Sequence, residues 1–223
     1  MSAAPAPDFW RDKRVLLTGH TGFKGAWMAL RLEGLGARVT GFALAPEAGP
    51  NLFQMLAPWP RLTSLIGDLR DPAALASTVA AAAPDIVIHM AAQALVRRSY
   101  RQPAETFAVK VQGTVNLLAA LEQRSQAVLV VTSDKVYDNQ ETGRAHGEDD
   151  PLGGDDPYSA SKAAAELAVR AWRNARPVAK LALAPARAGP VIGGGDFAED
   201  RLVPDVGRAA EAGRPVLLRY PAA

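Results

Sequence analysis

Cysteine is absent from the 223-residue chain. Disulfides and thiolate metal sites are therefore excluded, and a reducing, cytoplasmic location is expected. Histidine is scarce: His20, His89 and His146 are the three, no two of them at the close spacing of a zinc motif, and no metal site is expected. Excess charge of one sign is also missing. The 25 basic and 23 acidic residues are interspersed and give a net charge of +2, so a pI near 9.0 reflects a near-balance and not a basic patch. Neither nucleic acid nor a membrane surface is an expected partner. The N-terminus, Met1 to Asp8, has no apolar h-region; it is small and Pro-rich, and residues 1–12 read as a partly disordered lead-in, not a signal peptide. The Ala runs at 73–83 and 160–171 carry polar or charged residues and read as ordinary helices, not membrane spans. No internal repeat is visible.

What is present centres on Val128-Leu129-Val130-Val131, an apolar β-branched run that ends in Thr132-Ser133-Asp134-Lys135. This is the pattern of a buried parallel strand, and in open α/β sheets the ligand crevice lies beyond the carboxyl ends of the strands. Ser133, Asp134 and Lys135 are thereby expected where cofactor and substrate meet. Tyr158 and Lys162 follow, four apart at the head of an Ala-rich helix, on one face with Cβ atoms about 5–6 Å apart.

In chain order, the strand Arg14 to Thr18 breaks at Gly19-His-Thr-Gly22-Phe-Lys-Gly25 before an amphipathic run from Ala26 to Leu35. Strand, glycine turn and helix form a phosphate cradle, since glycine admits close backbone N–H groups and the helix N-terminus adds partial positive charge. The second strand, Ala37 to Leu44, ends without the acid that often meets the ribose of NAD, so the residues alone leave NAD and NADP open. Lys24 reads either as a partner for a 2′-phosphate or as a solvated lysine. A third strand, Leu62 to Ile66, closes on Asp68-Leu69, where Asp68 either accepts from an adenine amino group or caps the helix beginning at Pro72. A fourth, Asp85 to Gln93, ends in the small residues Ala91 and Ala92, which let a flat ring pack closely; His89 within it reads as a core histidine. Arg97 to Tyr100 form a polar loop able to hold a diphosphate or simply to be solvated. A helix is expected over Pro103 to Leu121, then the central strand, the Tyr158 helix to about Trp172, a sixth strand Val178 to Pro185, and a helix from Leu202 to Ala212. This alternation predicts an α/β fold, a Rossmann-like doubly wound parallel sheet with right-handed crossovers.

The motifs Thr18 to Gly25, Gly67 to Asp71, His89 to Gln93, Thr132 to Lys135, Tyr158 to Lys162 and Gly193 to Asp196 occur in one order. That order resembles the extended short-chain dehydrogenase/reductases of the NAD-dependent epimerase/dehydratase family, and within them the CDP-glucose 4,6-dehydratases. The resemblance runs from Phe9 to Pro221. The CDP-sugar rests chiefly on Asp134-Lys135, where dTDP-glucose dehydratases carry Asp-Glu, and on His20, Phe23 and Lys24. It implies NAD, held by Gly19, His20, Gly22, Phe23, Lys24, Gly25, Asp68, Leu69, Ala91, Ala92 and Gln93 with Tyr158 and Lys162. It implies a nucleotide-sugar substrate, CDP-glucose, met by Arg97, Ser133, Pro190 and Arg201. Tyr158 takes the proton of the C4 hydroxyl, which Ser133 orients, and Lys162 favours the phenolate. Asp134 protonates the departing C6 hydroxyl. Lys135 stands where the C5 base is expected, with burial or cationic neighbours needed to deprotonate it. The helices 103–121 and 157–172 resemble those that form a four-helix bundle across a homodimer, burying Val115, Leu118 and neighbours.

The chain departs from the family at Lys110 and Pro190, where Asn is usual. It also stops soon after Pro215 to Leu218, whereas family members continue over the sugar nucleotide. The expected organisation is a NAD-binding domain at 1–188 and the start of a truncated substrate-binding domain at 189–223. Rival readings are another NAD-dependent sugar-nucleotide dehydratase or epimerase, and a cofactor-binding fragment without catalysis.

Overall fold

The computed structural model describes residues 7–121, 127–175, 181–216 and 218; the start of the lead-in and positions 178–180 of the sixth strand lie outside the described residues. Six strands, β1 (Arg14–Thr18), β2 (Arg38–Ala43), β3 (Leu62–Ile66), β4 (Ile86–His89), β5 (Ala127–Val131) and β6 (Ala182–Ala186), form one sheet in the order β3-β2-β1-β4-β5-β6. Every pairing is parallel. The order reverses direction at β1, and that switch point places a crevice between the ends of β1 and β4. The strands form where sequence supplies short β-branched runs, and Val15 pairs both Val39 and Ile86 at the centre.

Helices cover both faces. Helix α1 (Phe23–Gly34) packs Ala29 and Leu32 against Val15, Leu17 and Val39 on one side. On the other, α2 (Pro72–Ala82), α3 (103–120) and α4 (Pro157–Ala175) bury Leu75, Leu117, Leu118 and Val169 over Leu16, Val87 and Val128. Each such aliphatic side chain contributes about 1.5–3 kcal/mol. Leu118, expected at a subunit interface, is fully buried in this core. Helix α2 begins as its sequence directs: Asp71 accepts from the N–H groups of Ala73 and Ala74, with Pro72 at the first helical position. A last helix, α5 (Leu202–Glu211), follows the glycine-rich loop after β6. Among the described residues no helix is long and apolar enough to cross a membrane.

The expected uniform helix over Pro103 to Leu121 is interrupted. Pro103–Phe107 and Gly113–Ala120 are α-helical, but Ala108–Gln112 forms a π-turn. Thr114 donates its hydroxyl to the Lys110 carbonyl at 2.6 Å, one of the side-chain bonds that loosen a helix locally. Lys110 consequently turns inward and is buried.

Candidate active site

The cradle after β1 is set by backbone crowding. Gly19 has φ +80°, and a Cβ on Gly25 would lie 1.9 Å from the Gly19 carbonyl oxygen. The turn is therefore tight enough to leave the N-terminus of α1 open, and no side chain caps it. A pyrophosphate fits that end, with helix N–H groups and dipole facing it. Phe23 and Trp27 dock this turn on the loop after β6, the Trp27 indole donating to the Gly194 carbonyl at 3.1 Å.

His20 departs from its expected role. Its side chain is fully buried, Nε2 lies 2.7 Å from Ser64 Oγ, and the ring meets Phe53 edge-on, so it supports the loop from beneath. Burial lowers its pKa to about 4. Gln93 is likewise a brace, donating to Leu95 O and Thr106 Oγ1 and accepting from the Leu95 N–H. His89 is the core histidine expected. The N–H groups of Met90 and Ala91 donate to Thr18 Oγ1, so the Thr18 hydroxyl donates to His89 Nδ1 at 2.7 Å. The ring proton then sits on Nε2 and donates to Thr114 Oγ1 at 3.0 Å, which fixes the tautomer by the network. Burial, then the charge of Lys162, lowers the His89 pKa to about 3. At the far edge, Asp68 follows β3 beside the buried Leu69, and Arg70 grips its carboxylate with bonds of 2.5–3.0 Å.

Beyond β5, Ser133 caps a short 3-10 turn, Asp134–Val136, and its hydroxyl donates to Asp134 Oδ1 at 2.9 Å. Tyr158 and Lys162 share a face of α4, as their spacing predicts. Arg201 and Asp134 act on both Lys24 and Tyr158, and Lys24 in turn acts on Lys162, so the five groups lie within reach of one another. Lys24 thus faces the reacting edge, its pKa lowered by burial and then by Arg201, with Asp134 opposing. Arg201 pairs with the buried Asp196 at 2.9 Å, and Arg97 with Asp200 at 3.2 Å. Pro190 is exposed, and Ala91 and Ala92 line a small cavity together with Lys110 and Lys162.

Two expectations fail here. Lys135 is exposed, because the 3-10 turn directs it to solvent, and the burial expected around it is not formed by the described residues. Tyr158 is shifted upward, not down: burial dominates, and the hydrogen bond with Ser133 and the charge of Arg201 offset it only in part. Lys162 is not among the groups that act on it. The Lys162 ammonium instead donates to Val131 O at 3.1 Å, and burial followed by Lys24 lowers its pKa to about 8.

The lysine in contact with Tyr158 is Lys110, whose Nζ donates to Tyr158 O at 3.2 Å and lies 3.3 Å from the ring centre. Burial, then Lys162, pulls its pKa from 10.5 to about 6, against Asp156. Near neutral pH the amine is uncharged, so its place over the ring is that of a neutral donor and not of a cation. Its folded pKa lies below the unfolded one, so the folded state binds fewer protons and stability rises with pH from about 6 to 10.5. The cost is complete below that window and absent above it. At pH 7 it amounts to about 5 kcal/mol. Lys110→Met is expected to return about 2–4 kcal/mol near pH 7 after losing a bond worth about 1 kcal/mol, and to lose that gain near pH 10. Urea unfolding at the two pH values checks this; an equal effect at both would place the Lys110 pKa near its ordinary value.

Sequence reasoning missed Thr132, Glu166 and Arg187. Thr132 Oγ1 donates to Glu166 Oε1 at 2.5 Å, and Arg187 holds the same carboxylate at 2.7 Å. The legible signal was Glu166 itself, a charged residue four positions after Lys162 on the same face.

A 3-2-1-4-5-6 parallel sheet with a glycine cradle after its first strand, and a Tyr/Lys pair on the helix after its fifth, defines a Rossmann-like domain of the short-chain dehydrogenase/reductase class. The chain belongs to the NAD dependent epimerase/dehydratase family, whose sequence pattern matches residues 15–220. It is 48% identical to the CDP-glucose 4,6-dehydratase of Salmonella typhimurium over 222 residues, 96% of this chain and 62% of that protein. It is 34% identical over 165 residues to the dTDP-glucose 4,6-dehydratase of Mycolicibacterium smegmatis, covering 71% of this chain and 48% of the relative. Among solved structures, a double mutant of the dTDP-glucose 4,6-dehydratase DesIV from Streptomyces venezuelae, with NAD bound, superposes with a TM-score of 0.75 at 27% identity. That match covers 89% of this chain and 62% of the other. The chain thus spans less than two thirds of the length of each.

Proposed function

We propose that the chain carries the cofactor-binding and catalytic part of a CDP-glucose 4,6-dehydratase that uses NAD. The observation that carries this reading is the convergence of Ser133, Asp134, Tyr158 and Lys162 beside an uncapped glycine cradle, in a chain similar to the Salmonella dehydratase along nearly all its length. Gly19, Gly22 and Gly25 with the uncapped N-terminus of α1 would hold NAD, which would supply a reversible hydride acceptor for the sugar. Tyr158 accepts the proton of the C4 hydroxyl, and Ser133, bonded to Asp134, orients that hydroxyl. The 4-keto group acidifies C5–H, and Asp134 protonates the C6 hydroxyl as it leaves as water. Lys135, exposed in the 3-10 turn, stands where the C5 proton would be taken and given back to C5 once water has left. Arg201 and Arg97 supply cations at the rim for the diphosphate, beside Pro190. In this reading residues 1–188 form the nucleotide-binding domain and 189–223 begin the substrate side.

The test is formation of the 4-keto product from CDP-glucose, with dTDP- and UDP-glucose as competitors. Product from another nucleotide sugar at equal or higher rate would overturn the choice of base. NAD is expected to bind more tightly than NADP, because Lys24 faces the catalytic cleft and not the edge where a 2′-phosphate would lie. Calorimetric titration with both cofactors decides it; tighter NADP binding reverses the assignment.

Helices α3 and α4 are proposed to pair with a second copy. Phe107 and Leu167 support this, being 39% and 43% exposed on those helices. Light scattering at micromolar concentration should give a dimer, and a clean monomer would count against the bundle.

A further inference from the structure

Glu166 takes no part in the reaction proposed above, yet its side chain is only 3% exposed and fully engaged. Helix α4 grips the end of β5 at two successive residues, with one helical turn between the grips. Lys162 Nζ donates to Val131 O at 3.1 Å, and Glu166 Oε1 accepts from Thr132 Oγ1 at 2.5 Å. Arg187, the residue after β6, closes on the carboxylate from the other side, with Nε and Nη2 at 3.1 and 2.7 Å from Oε2. Its remaining nitrogen, Nη1, donates to Glu148 O at 2.9 Å, and the guanidinium lies 4.6 Å over the Tyr137 ring. One buried carboxylate thereby joins β5, β6, α4 and the loop that leads from Tyr137 to Tyr158. The residue after Thr132 is Ser133, so the same grip sets where the catalytic turn begins.

We propose that Glu166, held by Arg187, is a positioning residue for Lys162: it fixes the ε-amine against the end of β5 and sets the positive charge that the amine carries there. The inference rests on the reading that Lys162 serves the active site. The ionisable groups that face Lys162 are Lys24 from α1, Lys110 from the π-turn, His89 from β4, and Glu166 one turn later on α4. Among these described groups Glu166 alone is a carboxylate. Burial and Lys24 press the amine toward its neutral form, and Glu166 opposes both. An opposite charge at close range shifts such a group by about 1–3 pH units.

The experiment is a pH titration of the Lys162 ε-carbon by NMR on the 223-residue chain, assigned with Lys162→Gln. It requires no turnover, so a failed dehydratase assay leaves it intact. In Glu166→Gln the midpoint should fall below its starting value near 8 by about one unit. A merely structural role predicts the opposite sign, because loosened packing would expose the amine and raise its midpoint toward 10.5. Glu166→Gln strands the Arg187 guanidinium, so the double variant Glu166→Gln with Arg187→Met provides the second arm, removing both charges together. It should show the same fall. A midpoint that stays or rises in either variant overturns the proposal. Loss of folding in the double variant also overturns it, by assigning the pair to stability alone.

Discussion

Tyr158→Phe should lower turnover about a thousandfold or more while changing NAD affinity by about twofold or less. The substitution removes only the hydroxyl proposed to take the substrate proton. The ring remains beneath the Lys110 amine, whose contact with the Tyr158 carbonyl is a main-chain one and survives the change. The wild-type rate should also climb with pH through and above neutrality. Burial holds the phenol above its ordinary value, so the reactive phenolate becomes more abundant as pH rises. Steady-state kinetics with CDP-glucose across that range, next to cofactor titration of both proteins, checks the pair of statements. Residual activity within tenfold of wild type would move the proton acceptor to another group.

Gly25→Ala should abolish cofactor binding, weakening it about a hundredfold or more, and cost about 3 kcal/mol of stability. The added methyl would lie 1.9 Å from the Gly19 oxygen, 2.6 Å from its carbonyl carbon and 2.9 Å from His20 Cα. All three are backbone atoms, and none can turn aside. Gly19 cannot retreat, since its own Cβ direction is blocked by Ala91 N at 2.7 Å, and the buried His20 ring closes the space beneath. Gly22→Ala is the control, because there the nearest atom is 3.4 Å away and the turn has room. Thermal unfolding and calorimetry should separate the two variants clearly. Equal behaviour would show that the cradle relaxes more freely than its contacts imply.

The sheet and the Tyr158/Lys162 pair were legible because both depend on short-range pattern. β1 and β3 have the bounds that their apolar runs predict, and a four-residue spacing on a helix fixes a shared face wherever the helix lies. The rest depends on what packs above a residue, which no local period encodes. His20 sits in a motif that binds nucleotides, but β3 supplies Ser64 and turns the ring inward. Lys110 stands where the family usually has Asn, and only the π-turn brings its amine over the Tyr158 ring. Lys135 stands by resemblance where a C5 base is expected, and only the 3-10 turn reveals that it points to solvent. Glu166 and Arg187 are 21 residues apart, and the crossover that brings them together gives neither of them a motif.

The crevice at the switch point also has a history in time. β1 is the earliest of the six described strands to leave the ribosome, yet its two partners arrive far apart. β2 follows soon after, whereas His89, which secures the end of β1 through Thr18, lies 71 residues further on. The nucleotide cradle is therefore encoded first and closed late, after three strands and two crossovers have been made. Until β4 docks, one edge of β1 offers open hydrogen-bonding groups to any passing strand. Long-range parallel pairing of this kind makes folding slow, and the nascent chain is most vulnerable to mispairing in the interval before residue 89 emerges.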